Sequence, residues 1–258
     1  MRILGIIAEY DPLHNGHVYH LQASKQAVRP DRTVIVLSSC FTQRGAPALL
    51  SPAGRASLAL SAGADAVFAL PVLYTVRDAE HYASAAVSLL SALGVTDIAF
   101  GAETDDLSML STAAALLTNE PPAWKEALSR FMGSGLGYPA AAAAAADEVL
   151  PGAGSLLACP NNMLAISYLR AIGASAPDII PHVIRRTGSY HAESACPEAP
   201  SASAVRSALS RGDWRSVFSA VPADTAALIR REALARRFPD PDRLSGMIIP
   251  FLRLGGRG

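Results

Sequence analysis

Four short apolar runs alternate with helical patterns in the first hundred residues, and that alternation leaves few architectures open. The runs Ile3–Ala8, Thr33–Leu37, Ala66–Leu70 and Asp97–Phe100 are rich in Val, Ile and Phe, and each ends in turn chemistry. Between them lie Gly16–Val28, Ser51–Ser61 and Ala79–Leu93, which carry helical spacing. Strands that are apolar almost throughout are buried on both faces, so the pattern predicts an α/β fold with a helix-covered parallel sheet. In such sheets ligands sit beyond the carboxyl ends of the strands.

After Gly101 the chain reads as mostly helical. Leu107–Leu117 and Ala123–Phe131 are followed by GSGLGYP, which reads as flexible, and by the alanines Ala140–Ala146. Those alanines have high helix propensity and little to pack with. Ile179–Ile184 predicts one more strand, and Ala202–Leu209 opens a basic helical tail. With 258 residues, half of them apolar and 17% charged, the chain can bury a full core and is not disordered. No apolar run reaches bilayer length, and Glu9 arrives too early for a signal peptide. Cys40, Cys159 and Cys196 are too far apart for zinc and odd in number for a disulfide framework. A cytoplasmic location without a resident metal is expected. Residues 201–258 hold ten arginines against five carboxylates, whereas residues 1–200 hold 12 basic and 17 acidic residues. The basic end suits either nucleic-acid contact or a solvated helical face.

The stretch EYDPLHNGH follows the first predicted strand directly. Pro12 stiffens the turn, Asn15-Gly16 suits its tight exit, and His17 and His20 share a face of the entering helix. First-turn amides and the positive end of the helix dipole point the same way, which suits phosphate. A side chain at Gly16 would hold a phosphate or adenine away from the backbone. Neither the P-loop nor the GxGxxG pattern is present, so histidines stand where those folds use glycine amides or lysine. A lone histidine is more often a core residue, and His20, one turn further in, also reads as packing. His14 and His17 around Asn15-Gly16 read as an anion site.

These residues carry a resemblance. DPLHNGH after a first strand, with SASAVR (Ser201–Arg206) downstream, resembles the HxGH nucleotidyltransferase superfamily, whose two signatures clamp a nucleoside triphosphate as pyrophosphate leaves. FTQRGAPALL, ADAVFALPVLYTVRDAEHYASAAVSLLSALGV, FGAE, PNNMLAISYL and RRTGSYH follow in that order, so the chain is similar to the tRNA(Met) cytidine acetate ligase family over about residues 1–253. The resemblance implies a parallel-sheet, Rossmann-like HxGH nucleotidyltransferase fold with additional C-terminal helices. It divides the chain into an ATP-binding domain, residues 1–200 with a helical insertion at about 105–160, and a basic helical tail, residues 201–258, truncated relative to relatives.

The activity implied is a two-step ligase. Acetate is activated by ATP, arriving with Mg²⁺, to acetyl-adenylate; the acetyl group then passes to the wobble cytidine of elongator tRNA(Met), giving N(4)-acetylcytidine. The implied ATP site comprises the loop Ile7, Ala8, Glu9, Tyr10, Asp11, Pro12, Leu13, His14, Asn15, Gly16, His17, Val18, Tyr19 and His20. Gly101, Asn162, Arg186, Ser203 and Arg206 join it, with His14, His17 and Arg206 as the catalytic groups. By themselves, Asn162 and the serines at 201 and 203 read as ordinary helix caps.

The chain departs from the family at Asp11, where Asn is usual, and at Ser39-Cys40 and Ser51-Pro52, where a GNFVQRG loop and an Asp-Lys pair are common. Ala192 stands where a carboxylate would orient His191, and IIPFLRLGGRG ends the chain where relatives continue. Two other readings therefore stand beside the ligase. One is a small-molecule adenylyl- or cytidylyltransferase with the same clamp. The other is a truncated nucleotide- or tRNA-binding homologue without catalysis. No DNA and no membrane partner is expected.

Overall fold

The computed structural model describes residues 1–186 and 201–255. Five parallel strands, β1 (Ile3–Ala8), β2 (Arg32–Ser38), β3 (Ala66–Leu70), β4 (Asp97–Ala102) and β5 (Ile180–Arg185), form one sheet in the order β3-β2-β1-β4-β5. The helices within the sheet-forming part are α1 (Asn15–Val28), α2 (Pro52–Ser61), α3 (Val72–Thr75), α4 (Ala79–Ala92), α5 (Leu107–Asn119), α6 (Pro122–Gly133), α7 (Tyr138–Val149), α8 (Ala153–Leu157) and α9 (Pro160–Ser175). After the sheet come α10 (Ala202–Ser210), α11 (Trp214–Ala220), α12 (Ala223–Leu234) and α13 (Pro241–Gly255).

The chain runs outward from β1 to β3, then returns to place β4 on the other side of β1. The strand order therefore reverses between β1 and β4, which opens a crevice beyond their carboxyl ends. Period-two alternation divides each strand between two cores. Val34 and Val36 face α4, α5 and α9, whereas Ile35 and Leu37 face α1, α2, α10, α11 and α12. Leu21 and Val28 of α1 are fully buried, each worth about 1.5–3 kcal/mol. Gly5 lets α4 press on the sheet: a Cβ there would stand 2.9 Å from both Leu90 and Val95.

The four early strands fall where the apolar runs predict them, within two residues at each end. The polyalanine run needs correcting. Ala142, Ala145 and Ala146 of α7 are buried with Trp124 and Ala127 of α6 and Leu116 of α5 in a small third core. Small side chains let α6 and α7 approach closely, so the run is a packing seam. The segment from residue 201 packs on the sheet: Val205, Ala208, Val217, Ala220 and Ile229 share a core with Leu4 and Ile6.

At the amino ends of β1, β4 and β5 a polar cluster ties the strands together. Asp97 is sealed from solvent and accepts from Arg2 Nε and Nη2 at 3.1 and 3.0 Å, from Thr96 Oγ1 at 2.7 Å and from His182 Nε2 at 2.8 Å. Burial opposes its ionisation, but these three donors outweigh it and hold the carboxyl below its ordinary range. Among the described residues no helix is long and apolar enough to cross a membrane.

Candidate active site

The chain leaves β1 through a tight turn. Tyr10 adopts the left-handed region at φ 49°, and the Asp11–Pro12 peptide is cis. Tyr10 and Leu13 turn into the core, which fixes the loop from below. His14 then stands as the extended N-cap residue of α1. Its ring stacks on that of His17, centroids 3.6 Å apart and 23° between planes, while the Tyr10 ring lies 4.9 Å from His17 on a tilt. One further tie holds the start of the helix: Asn15 Nδ2 donates to the Ser219 carbonyl on α11 at 3.1 Å.

Hydrogen bonding fixes the state of His17. Its Nδ1 accepts from the His14 backbone N–H at 3.3 Å, so the ring proton sits on Nε2. Burial drives the His14 imidazole down to about 3, with the Arg186 charge adding to the effect. Burial also takes His17 well below the usual imidazole range, followed by repulsion from His14, Arg186 and His20. His20 falls to about 4 for the same first reason and then Arg186, with the Phe100 carbonyl opposing. All three rings are therefore neutral at pH 7. His14 Nδ1 and His20 Nε2 are buried without a hydrogen-bond partner. The amides of Asn15 and Gly16, at the positive end of α1, likewise have none among the described residues.

Gly101 lies under this group. A Cβ there would meet Arg186 Cγ at 3.3 Å and His20 Cδ2 at 3.5 Å, so the missing side chain lets the arginine and the imidazole come together at the end of β4. His14, His17, His20, Gly101 and Arg186 thus converge. His20, which by itself reads as packing, belongs to this group. Arg206 reaches the loop from α10 and donates Nη1 to the Asp11 carbonyl at 2.5 Å and to Asp11 Oδ2 at 3.2 Å. The other Asp11 oxygen accepts from Leu49 N–H at 2.5 Å.

Other predicted residues are placed differently. Ser201 is the N-cap of α10, and Ser203 is exposed with its hydroxyl 3.2 Å from that of Ser201. Asn162 is not the cap of its own helix but its third residue. It is buried, and its Oδ1 accepts from the N–H groups of Glu103 and Thr104 at 2.9 and 3.3 Å. Both Glu103 oxygens in turn receive donors from Asn161 and Asn162, which ties the start of α9 to the end of β4. Ile7, Ala8 and Val18 pack against the two cores, and Tyr19 points outward, 49% exposed. Tyr190, His191 and Ala192 lie outside the described residues.

One residue that carries this edge escapes a reading of motifs. Arg55 of α2 is completely buried and donates to backbone oxygens only found at strand ends and loops: Glu9 at 2.6 Å, Leu50 at 3.1 Å and Ser39, with Ser38 Oγ at 3.3 Å. It clips β1, β2 and the loop after β2 together. The available signal was an arginine three and four residues before the buried Leu58 and Ala59, on the apolar stripe of α2. Glu9, within the predicted loop, ties to the same edge: its Oε1 accepts from Gln43 N–H at 2.5 Å. A cavity of about 400 Å³ is lined by Cys40, Phe41 and residues 47–52 on one side and by Arg237, Arg243 and Met247 on the other, not by the imidazoles. Among the described residues no group of three metal-ligating side chains exists.

Residues 1–253 match the HIGH Nucleotidyl Transferase family. The chain is 40% identical over 262 residues to the tRNA(Met) cytidine acetate ligase of Kosmotoga olearia, covering 98% of this chain and 62% of that protein. Against the protein of the same name from Fervidobacterium nodosum it is 39% identical, covering 93% and 57%. Among solved structures it is similar to Thermotoga maritima TmcAL bound with alpha-thio ATP, with a TM-score of 0.83, 32% identity and coverage of 93% and 57%. The chain spans about three-fifths of the length of these relatives.

Proposed function

This chain belongs to the HIGH nucleotidyl transferase family, and on that premise we propose that it is an ATP-dependent ligase that activates acetate as acetyl-adenylate and acetylates the wobble cytidine of elongator tRNA(Met). The observation that carries the reading is the stack of His14 on His17 at the start of α1, with both rings neutral and a fixed proton on His17 Nε2. A neutral imidazole that donates from Nε2 can follow charge as it grows on a phosphate oxygen without repelling the arginine beside it. The relatives' names and the ATP analogue in the solved neighbour support the same chemistry.

In this reading an acetate oxygen attacks the α-phosphorus in line, a displacement that depends on positioning and charge neutralisation. The Asn15 and Gly16 amides and the two imidazoles hold the triphosphate, with Gly101 leaving room for it. Arg186, Arg206 and Ser203 take the departing pyrophosphate, for which arginine supplies a fixed fork of donors. Asn162 acts by holding the Glu103 loop, and adenine contacts fall to the rest of the Ile7–His20 segment. Residues 1–200 form the bulk of the ATP-binding unit, with the helices at about 105–160 inserted, and residues 201–258 complete it with Ser203 and Arg206 and carry the arginines that meet tRNA phosphates. The cytoplasm is where these substrates meet.

The test is to incubate the protein with ATP, labelled acetate and tRNA(Met). Acetate-dependent ATP–pyrophosphate exchange together with N(4)-acetylcytidine in the digested tRNA is the expected result. Pyrophosphate release without acetate would point to an adenylyltransferase, and ATP binding with no exchange to a homologue that only binds.

A further inference from the structure

Three carboxylates stand at the carboxyl edge of β1 and β4, and two of them are fully engaged. Both oxygens of Glu103 accept from Asn161 and Asn162, and the two of Asp11 accept from Leu49 N–H and Arg206. Glu9 differs. Its Oε1 is fixed by the Gln43 amide at 2.5 Å, while Oε2 has no hydrogen-bond partner among the described residues and is not sealed from solvent. The side chain is half-buried, so one oxygen is held and the other presented. It sits two residues before Asp11 and five before His14 in the chain, within electrostatic range of Asp11 and Arg206.

We propose that Glu9 is the base of the second reaction step, accepting a proton from the exocyclic amine of the cytidine as that amine attacks the acetyl carbon. The inference rests on the ligase reading. A cytosine amine is a poor nucleophile because its lone pair is delocalised into the ring, so it must lose a proton as the new bond forms. The N4 nitrogen bonds to the acetyl carbon. The bond from that carbon to the adenylate oxygen breaks, and its electron pair leaves with AMP. One N4 proton passes to Glu9 Oε2 and then to water. A carboxylate is also the acceptor that matches a cytosine amine, and it would face the carbonyl of a uracil unfavourably.

The surroundings suit a base that must shed its proton again. Burial raises the Glu9 pKa first; its Gln43 hydrogen bond opposes, the Asp11 charge raises it, and Arg206 and Arg55 lower it. The Tyr82 and Tyr168 phenols, from α4 and α9, are within electrostatic range of it. These are the charged and titratable groups that face Glu9. A base works best when its pKa approaches the working pH.

The experiment compares the two steps in wild type, Glu9→Gln and Glu9→Asp. Glu9→Gln keeps an acceptor for Gln43 N–H, so a purely structural role predicts equal effects on both steps. The proposal predicts that Glu9→Gln slows acetyl transfer to tRNA at least 100-fold more than it slows acetate-dependent ATP–pyrophosphate exchange. The rise of the wild-type transfer rate with pH should flatten, and Glu9→Asp should recover part of the loss. Transfer at the wild-type rate in Glu9→Gln, or an equal loss of both steps, overturns the proposal. So does a wild type that exchanges but never transfers. A wild type without exchange instead sinks the ligase reading itself, so the two failures are distinguishable.

Discussion

The two ends of the sheet treat histidine and charge in opposite ways. At the amino end, Asp97 takes donors from Arg2, Thr96 and His182, and every Asp97 oxygen is engaged. At the carboxyl end, His14 Nδ1 and His20 Nε2 are buried without partners, three imidazoles are kept uncharged, and Arg186 lies among them with no carboxylate in hydrogen-bond contact among the described residues. Unpaired buried polar atoms cost about 1–3 kcal/mol each. The same sheet therefore gains stability at one end and gives some back at the other. A saturated cluster holds strands in register, whereas an unsaturated one keeps donors available for an anion.

The sharpest way to break this contrast is to remove one imidazole. His17→Ala should lower acetate-dependent exchange about 10²–10³-fold, from the loss of a donor worth about 3–4 kcal/mol in the transition state, while leaving thermal unfolding nearly unchanged. Exchange within a few-fold of wild type would remove the site from the carboxyl end. Arg55→Met should destabilise by about 3 kcal/mol in a denaturant titration, because it leaves the carbonyls of Glu9, Ser39 and Leu50 buried without donors. A stable Arg55→Met protein would mean that water replaces the guanidinium.

Asp97→Asn should cost less, about 1–2 kcal/mol, since Arg2 is half exposed, and it should leave exchange per folded molecule unchanged. Altered exchange would show that the two ends are coupled. The last prediction concerns acid. The depressed imidazoles contribute stability that is complete above their ordinary pKa of 6.5 and declines as pH falls below it, down to about 3 for His14. Asp97 is also depressed, but its contribution is complete above 3.8 and fades only below that. Between pH 6.5 and 4 the loss of stability therefore comes from the carboxyl end. His14→Gln with His17→Gln should flatten that limb, and Asp97→Asn should not.

Local pattern made the frame readable. Apolar runs alternating with helical stretches placed β1 to β4, and His14-Asn15-Gly16-His17 pointed to a candidate anion site because turn, helix start and donors are contiguous in sequence. Long-range packing was not readable in the same way. Whether Ala142 and Ala145 meet anything depends on Trp124, which no spacing rule links to them. Arg55 looks like one more surface arginine until three carbonyls from distant segments are seen around it. Asn162 is the third residue of PNNM in sequence, yet its oxygen is engaged by backbone from Glu103 and Thr104, 59 and 58 residues away.

Asp11 binds a guanidinium that lies 195 residues further along the chain. In the proposed reading, a long side chain that would otherwise sweep through many rotamers is already aimed when the nucleotide arrives, so its ordering, on the order of 0.5–1.5 kcal/mol, is charged to folding and not to association. The remaining nitrogens of Arg206 stay open to a ligand, and a strand-end aspartate becomes the rest that keeps them on target.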